Sequence, residues 1–190
     1  LYAVRKSSLR LGDTCAVFGA GPIGLLIIQA AKAAGARIII AVEISEQRRA
    51  KALELGATHL VNPKKEDPVD TIRSITQHGA DVSFEAAGVQ DTFNQSIQCL
   101  KPGGEMILVS LWEHPIAFQP NHLVMDERRI SATAAFRNII PEVISLIASG
   151  QINAEKLITK RIGLNQIVEE GFNTLLTDKS HAKILVSPKL

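Results

Sequence analysis

Short, dense apolar runs alternate along the chain with stretches in which apolar residues recur every three or four positions. The first run, Thr14 to Phe18, shows no polar alternation, and a helical pattern follows from about Pro22 to Ala34, with Gly35 as its stop. A strand covered on both faces reads as a continuous apolar run, whereas a strand with one wet face alternates. Arg37 to Val42 is a second continuous run, and Ser45 is placed to cap a helix that ends at Gly56. The pattern then repeats. Thr58 to Val61 predicts a strand, Asp67-Pro68 opens a helix closed by Gly79, Asp81 to Glu85 predicts the fourth strand, and Gln90 to Leu100 the fourth helix. Lys101-Pro102-Gly103-Gly104 reads as a turn before a fifth strand, Glu105 to Val109. Arg129 to Phe136 predicts a sixth strand, followed by a helix from Pro141 to Ser149 that ends at Gly150. Regular alternation of this kind predicts an α/β protein with a parallel sheet.

After Gly150 the texture changes. Leu157 to Arg161 and Lys183 to Val186 read as strands, and between them Leu164, Val168, Phe172, Leu175 and Leu176 fall at helical spacing. A tail of about forty residues is too small to hold a core of its own, so it is expected to pack against something else. The expected organisation is an opening helical segment (1–10), a main α/β domain (11–150) and a C-terminal strand-helix-strand tail (151–190).

Composition narrows the function classes. At 190 residues and 46% apolar, the chain is long enough for a real core. Its net charge of +2 is spread without a basic block, which gives no reason to expect nucleic acid or an anionic membrane as partner. The longest apolar stretches are interrupted by Lys32 and Arg37, short of a spanning helix, and Leu1 to Lys6 has neither the length nor the order of a signal peptide. Cys15 and Cys99 are too few for a disulfide framework or a Cys-rich zinc site, and a reducing, cytoplasmic setting fits.

The candidate chemistry sits between the first strand and its helix. Gly19-Ala20-Gly21-Pro22-Ile23-Gly24 is a G-x-G-x-x-G in the strand–turn–helix context that a dinucleotide site requires. Gly19 would allow the tight turn, Gly21 the approach of a pyrophosphate to the backbone, and Gly24 the close packing of helix on sheet. The helix amino terminus would then offer free N–H groups and a partial positive charge to the diphosphate. Glu43 follows Gly24 by nineteen residues, at the end of the second strand. A carboxylate there accepts hydrogen bonds from both adenosine ribose hydroxyls and repels a 2′-phosphate, which favours NAD over NADP. Arg48 either covers the adenine or its ribose or is an ordinary helix residue in solvent. Glu85 either caps the fourth strand near the ligand crevice or is solvated. His59, His78, His114, His122 and His181 are scattered without a metal-ligand pair, and no G-x-S-x-G is present. The residues therefore point to dinucleotide binding without catalytic groups of the chain's own.

The same residues carry a resemblance. Gly19 to Gly35, Val42-Glu43-Ile44-Ser45 with Arg48, Glu54-Leu55-Gly56-Ala57, Phe84-Glu85-Ala86-Ala87-Gly88 and Leu100-Lys101-Pro102-Gly103-Gly104 are similar to the coenzyme domain of zinc-dependent medium-chain dehydrogenases. Ala135-Phe136-Arg137-Asn138, Pro141 to Ile144, Leu157 to Ile162 and Ala182 to Val186 resemble the butanediol and sorbitol dehydrogenase branch. The resemblance covers essentially the whole chain. It implies a Rossmann fold, a doubly wound six-stranded parallel sheet, and NAD-linked exchange of hydride with a secondary alcohol or ketone. It implies further that Val109, Ser110 and Leu111, and Ala135, Phe136 and Arg137, form two segments lining the nicotinamide, largely through backbone groups. Ser110 departs from the Gly common at that place. The family's zinc ligands, a Cys, a His-Glu pair and a further Glu, are expected in a preceding catalytic domain; none can be placed on residues 1–190, and the tail would return to that domain. On this reading the parent enzyme uses zinc and the chain alone is inactive. A stand-alone dinucleotide-binding or sensing module is the competing reading, and a zinc-free quinone reductase relative is disfavoured by the charge of Glu43. A homo-oligomer is expected because the sixth strand would be a sheet edge carrying apolar residues.

Overall fold

Residues 1–178 and 180–189 are described by a computed structural model of the chain. The apolar runs become a six-stranded parallel sheet: β1 (Thr14–Phe18), β2 (Ile38–Val42), β3 (His59–Val61), β4 (Ala80–Glu85), β5 (Leu100–Leu108) and β6 (Arg129–Ala132). The strand order is β3-β2-β1-β4-β5-β6, so the chain winds outward from β1 to one edge and then from β4 to the other. This is the doubly wound order, and its reversal lies between β1 and β4. The helices are α1 (Tyr2–Lys6), α2 (Pro22–Ala33), α3 (Glu46–Leu55), α4 (Pro68–Thr76), α5 (Gln90–Gln98), α6 (Asn121–Val124) and α7 (Ile140–Ala148).

Continuous apolar strands follow from burial on both faces. Alternate residues of a strand point to opposite faces. Accordingly Cys15, Val17, Ile39, Ala41, Val82, Phe84 and Ile107 join one core with Leu25 and Ile28 of α2, whereas Ala16, Phe18, Ile40, Val42 and Met106 join a second with Ile72 of α4 and Phe93 and Ile97 of α5. Each large aliphatic or aromatic side chain so buried contributes about 1.5–3 kcal/mol. Register levels the carboxyl ends at one edge of the sheet: Phe18 is opposite Val42 on one side and Glu85 on the other, and Glu85 is in turn opposite Leu108.

Three boundaries differ from the sequence reading for local reasons. Lys101-Pro102-Gly103-Gly104 is not a free turn but an irregularity inside β5, whose pairing with β4 jumps from Ala80↔Leu100 to Val82↔Glu105. Such an insertion bends a strand without ending it. β6 stops at Ala132 rather than Phe136, because Ala135 and Asn138 take left-handed backbone (φ 51° and 48°) that a strand cannot continue through. α4 ends on Gln77, also left-handed, before Gly79 is reached. The short helix α6 was missed.

The tail forms β7 (Ile158–Gly163) and β8 (Lys183–Ser187), paired parallel in a separate two-stranded sheet. Between them the expected single helix is a succession: a 3₁₀ turn at Leu164–Gln166, a widened i→i+5 segment at Ile167–Asn173, and α8 (Thr174–Thr177). Its apolar positions Leu164, Val168, Phe172 and Leu176 are exposed. The helical character that the spacing predicted is thus present in short pieces of different pitch, and its apolar positions are not buried in this structure.

A crevice at the carboxyl edge of the sheet

β1 ends where its chain must turn sharply into α2. Gly19 has φ +92°, a conformation L side chains rarely adopt, and its N–H donates to Val42 O (2.9 Å). Gly21 is the N-cap of α2, and Pro22 occupies the first helical position, where its missing N–H costs nothing. A Cβ on Gly24 would lie 1.8 Å from Gly19 O, so only glycine lets the helix sit this close to the strand. A Cβ on Gly21 would meet nothing within 4 Å: the backbone here borders open space, as an incoming pyrophosphate would need. Ile23 projects outward and is half exposed.

Glu43 directly follows β2 and is buried. One carboxylate oxygen accepts from Ala20 N (2.8 Å), inside the glycine-rich turn, and the other from Ser45 N (2.9 Å). A carboxylate has about four acceptor sites, so two remain for a ligand. Ser45 caps α3 by accepting from Arg48 N. Arg49, not Arg48, ties down the strand end, donating to the carbonyls of Glu43 (2.7 Å) and Ile44 (2.9 Å). Arg48 Nε is buried and has no hydrogen-bond partner. An unsatisfied buried donor is costly, and it is a group that a bound nucleotide could satisfy.

Across the strand reversal, Glu85 ends β4 and is fully buried, which resolves its open reading in favour of the cap. It accepts from Ala87 N and Gly88 N (2.9 Å each), from Thr92 Oγ1 (2.7 Å) and from Ser110 Oγ. Its main-chain carbonyl receives Val109 N (3.0 Å) and Ser110 N (3.2 Å). The structure thus brings Val109 and Ser110 to the end of β4, with the Leu111 side chain 94% exposed. Sequence reasoning missed the extent of this cluster; its signal was a strand-ending Glu followed within three residues by Gly. Beyond it, Trp112 and Phe118 pack edge-on against Phe93, and the Gln90 amide clamps Ala117 through both its O and N–H (2.7 Å each). Gly88, Gln90, Leu111, Trp112 and Ile116 border a cleft of about 510 Å³. Ala135, Phe136 and Arg137 lie in the exposed loop after β6. Phe136 and Arg137 border a shallow depression with Asn138, Ile140 and Pro141, apart from the glycine-rich turn.

Neither cysteine is poised for chemistry. Burial pushes the thiols of Cys15 and Cys99 up to about 12, and both are free. Among the described residues no group of three or more His, Cys, Asp or Glu could hold a metal ion, and no helix is long and apolar enough to cross a membrane. The described residues at this edge therefore suit a dinucleotide, and no metal-binding cluster is found among the described residues.

Comparison with known proteins agrees with this fold. A family model described as zinc-binding dehydrogenase matches residues 22–149. The (R,R)-butanediol dehydrogenase of Bacillus subtilis (strain 168) is 48% identical over 188 residues, which is 99% of this chain and 54% of that protein. The crystal structure of 2R,3R-butanediol dehydrogenase from Bacillus subtilis superposes with a TM-score of 0.94 at 48% identity, covering 98% of this chain and 54% of that one. A zinc-binding dehydrogenase structure from Sinorhizobium meliloti 1021, bound to NADP, superposes with a TM-score of 0.91 at 29% identity, covering 98% of this chain and 56% of that one. The chain thus spans about half the length of the relatives it matches.

Proposed function

Because this chain belongs to the zinc-binding dehydrogenase family, we propose that it is the NAD-holding part of a secondary-alcohol or polyol dehydrogenase of the butanediol or sorbitol type. Residues Gly19, Gly21, Pro22, Ile23 and Gly24 receive the pyrophosphate at the start of α2. Glu43 receives the adenosine ribose, Arg48 lies over the adenosine, and the segments 109–111 and 135–137 border the nicotinamide. When bound, NAD supplies the carbon that accepts or returns the hydride; the chain's residues bind it, orient it and keep it in place. Zinc belongs to the reading of the whole enzyme, and no step is assigned to it on these residues.

The observation that carries the cofactor choice is the buried carboxylate of Glu43, bridging Ala20 N–H and Ser45 N–H beside the open face of Gly21. Its two remaining acceptor sites match a pair of ribose hydroxyls, and its charge opposes a 2′-phosphate. Titration of the chain should give tighter binding of NADH than of NADPH. Glu43→Ala should weaken NADH about tenfold or more and narrow the gap to NADPH, as expected for loss of a charged acceptor. Equal binding of the two cofactors by both proteins sinks the assignment.

A homo-oligomer forms part of the same reading. β6 is a sheet edge, and Phe136, Ile140, Ile144 and Ile147, which follow it in the chain, are exposed. A single monomeric mass by light scattering at high concentration counts against it. The cytoplasmic setting rests on two buried, unbridged thiols.

A further inference from the structure

Glu85 is a second buried carboxylate at the ligand edge, and the ribose contact leaves it unexplained. It is 0% exposed and touches four donors, all neutral: Ala87 N, Gly88 N, Thr92 Oγ1 and Ser110 Oγ. A strand can be closed by an apolar residue without the desolvation that a carboxylate incurs, so packing alone gives no reason for this residue. Its distinctive effect is on what it joins. Through one oxygen it shapes the turn after β4; through the other it holds the hydroxyl of Ser110, which leaves β5. The two pieces of chain are also packed backbone to backbone, since a Cβ on Gly88 would lie 3.0 Å from Leu111 O and 3.4 Å from Ser110 Cβ. On the other side the turn abuts the glycine-rich loop, where a Cβ on Gly19 would lie 3.1 Å from Ala87 Cβ.

In a doubly wound sheet the ligand straddles the strand reversal. With one nucleotide half over β1 and β2, near Glu43, the other half lies over β4 and β5, on the ledge formed by 87–88 and 109–111. We propose that Glu85 is a positioning residue that, through the hydroxyl of Ser110, fixes the 109–111 ledge at the height where the nicotinamide half of the cofactor lands. This rests on the cofactor reading above. The tether depends on a hydroxyl: glycine or alanine at this place would have none to give. Ser110 thus locks by its side chain a segment whose other contacts with the end of β4 are through main chain.

The test compares NADH with ADP-ribose, which lacks only the nicotinamide, by calorimetric titration of the chain. Ser110→Ala should weaken NADH about fivefold, the loss of one hydrogen bond to a charged group, while ADP-ribose stays within twofold. Ser110→Thr, which keeps the hydroxyl, should restore NADH binding. Glu85→Gln, which keeps an acceptor for the turn, should weaken NADH by a larger factor than ADP-ribose. Unchanged NADH binding in Ser110→Ala overturns the proposal. So does an equal loss of both ligands accompanied by a fall in Tm, since that marks a purely structural residue. If the unsubstituted chain binds no NADH, the cofactor reading falls and this inference with it. If it binds NADH in a Glu43-dependent way and the Ser110 variants are inert, this inference alone falls.

Discussion

At the end of β2, Glu43 accepts two backbone N–H groups; at the end of β4, Glu85 accepts two backbone N–H groups and two hydroxyls. The first carboxylate serves a cradle made of main chain, in which the glycine-rich turn needs the absence of side chains. The second serves a cradle whose halves come from Glu85 and Ser110, twenty-five residues apart, and are joined by side chains. The difference is one of tolerance. A main-chain cradle is ruined by an added methyl and indifferent to most neighbours, whereas a side-chain cradle can be tuned one hydroxyl at a time.

The largest effect that would test this contrast is at Gly24. A Cβ placed 1.8 Å from a backbone oxygen cannot be accommodated by a side-chain rotation, so α2 must lift away from β1. Gly24→Val should cost about 3 kcal/mol or more and lower Tm by about 10 °C, measured by thermal melting. Gly103 lies in the irregular stretch of β5, with φ +72° and nothing within 4 Å of its Cβ position. Gly103→Ala should cost only the left-handed penalty of about 1 kcal/mol. Equal losses at the two sites would remove the claim that a glycine packed against backbone is less tolerant than one facing open space.

The same contrast explains what could be read from the sequence. Continuous apolar runs marked β1 and β2 because burial on both faces leaves no alternation, whereas β4 alternates Asp81, Ser83 and Glu85 with apolar residues although Ser83 and Glu85 are buried; the G-x-G-x-x-G with Glu43 is legible because its parts are close in the chain and backbone-made. The Glu85 cluster is formed by tertiary pairing of β4 with β5, and no spacing announces which hydroxyl will meet the carboxylate. β6 was drawn too long because nothing in Thr133 to Phe136 forbids a strand; Ala135 turns left-handed although alanine does not favour it. Lys101 to Gly104 carries strong turn residues, yet pairing on both sides of it absorbs the turn into β5. In the tail, the spacing identified helical character but carried no information on what covers its apolar positions.

Arg48 sharpens the comparison at intermediate magnitude. It lies in the first turn of α3, five residues after Glu43, with a buried Nε that lacks a partner, so removing the side chain breaks no hydrogen bond of that atom. Arg48→Ala should leave Tm within about 2 °C and weaken ADP-ribose by about fivefold, a loss near 1 kcal/mol that suits a guanidinium over an adenine or its ribose. The Ser110 variants should do the reverse, sparing ADP-ribose. Unaltered ADP-ribose binding in Arg48→Ala would reduce Arg48 to a helix residue without a ligand role.

The smallest effect on binding belongs to the opposite edge of the sheet, where the halves are stitched together without touching the ligand. Asp81, at the start of β4, accepts the N–H and hydroxyl of Thr14 on β1 (2.8 Å each) and the ammonium of Lys101 on β5. Burial pushes its carboxyl up, but the hydrogen bonds from Lys101 and Thr14 outweigh burial and hold it below the usual carboxylate range. A carboxyl depressed in the folded state stabilises fully above its unfolded value of about 3.9, and that contribution is lost as pH falls through the folded value. Asp81→Asn should therefore cost about 1 kcal/mol at pH 7, a modest figure because Lys101 is half exposed and screened by water. The gap between the two proteins in urea midpoint should close as pH falls from about 4 through the lower folded value, because Asp81 protonates first in the unfolded chain and only later in the folded one. NADH affinity at pH 7 should be unchanged, because the ligand edge lies at the other end of every strand. A gap that persists in acid, or a loss of NADH binding, would mean that the two edges of this sheet do not divide stability from binding in this way.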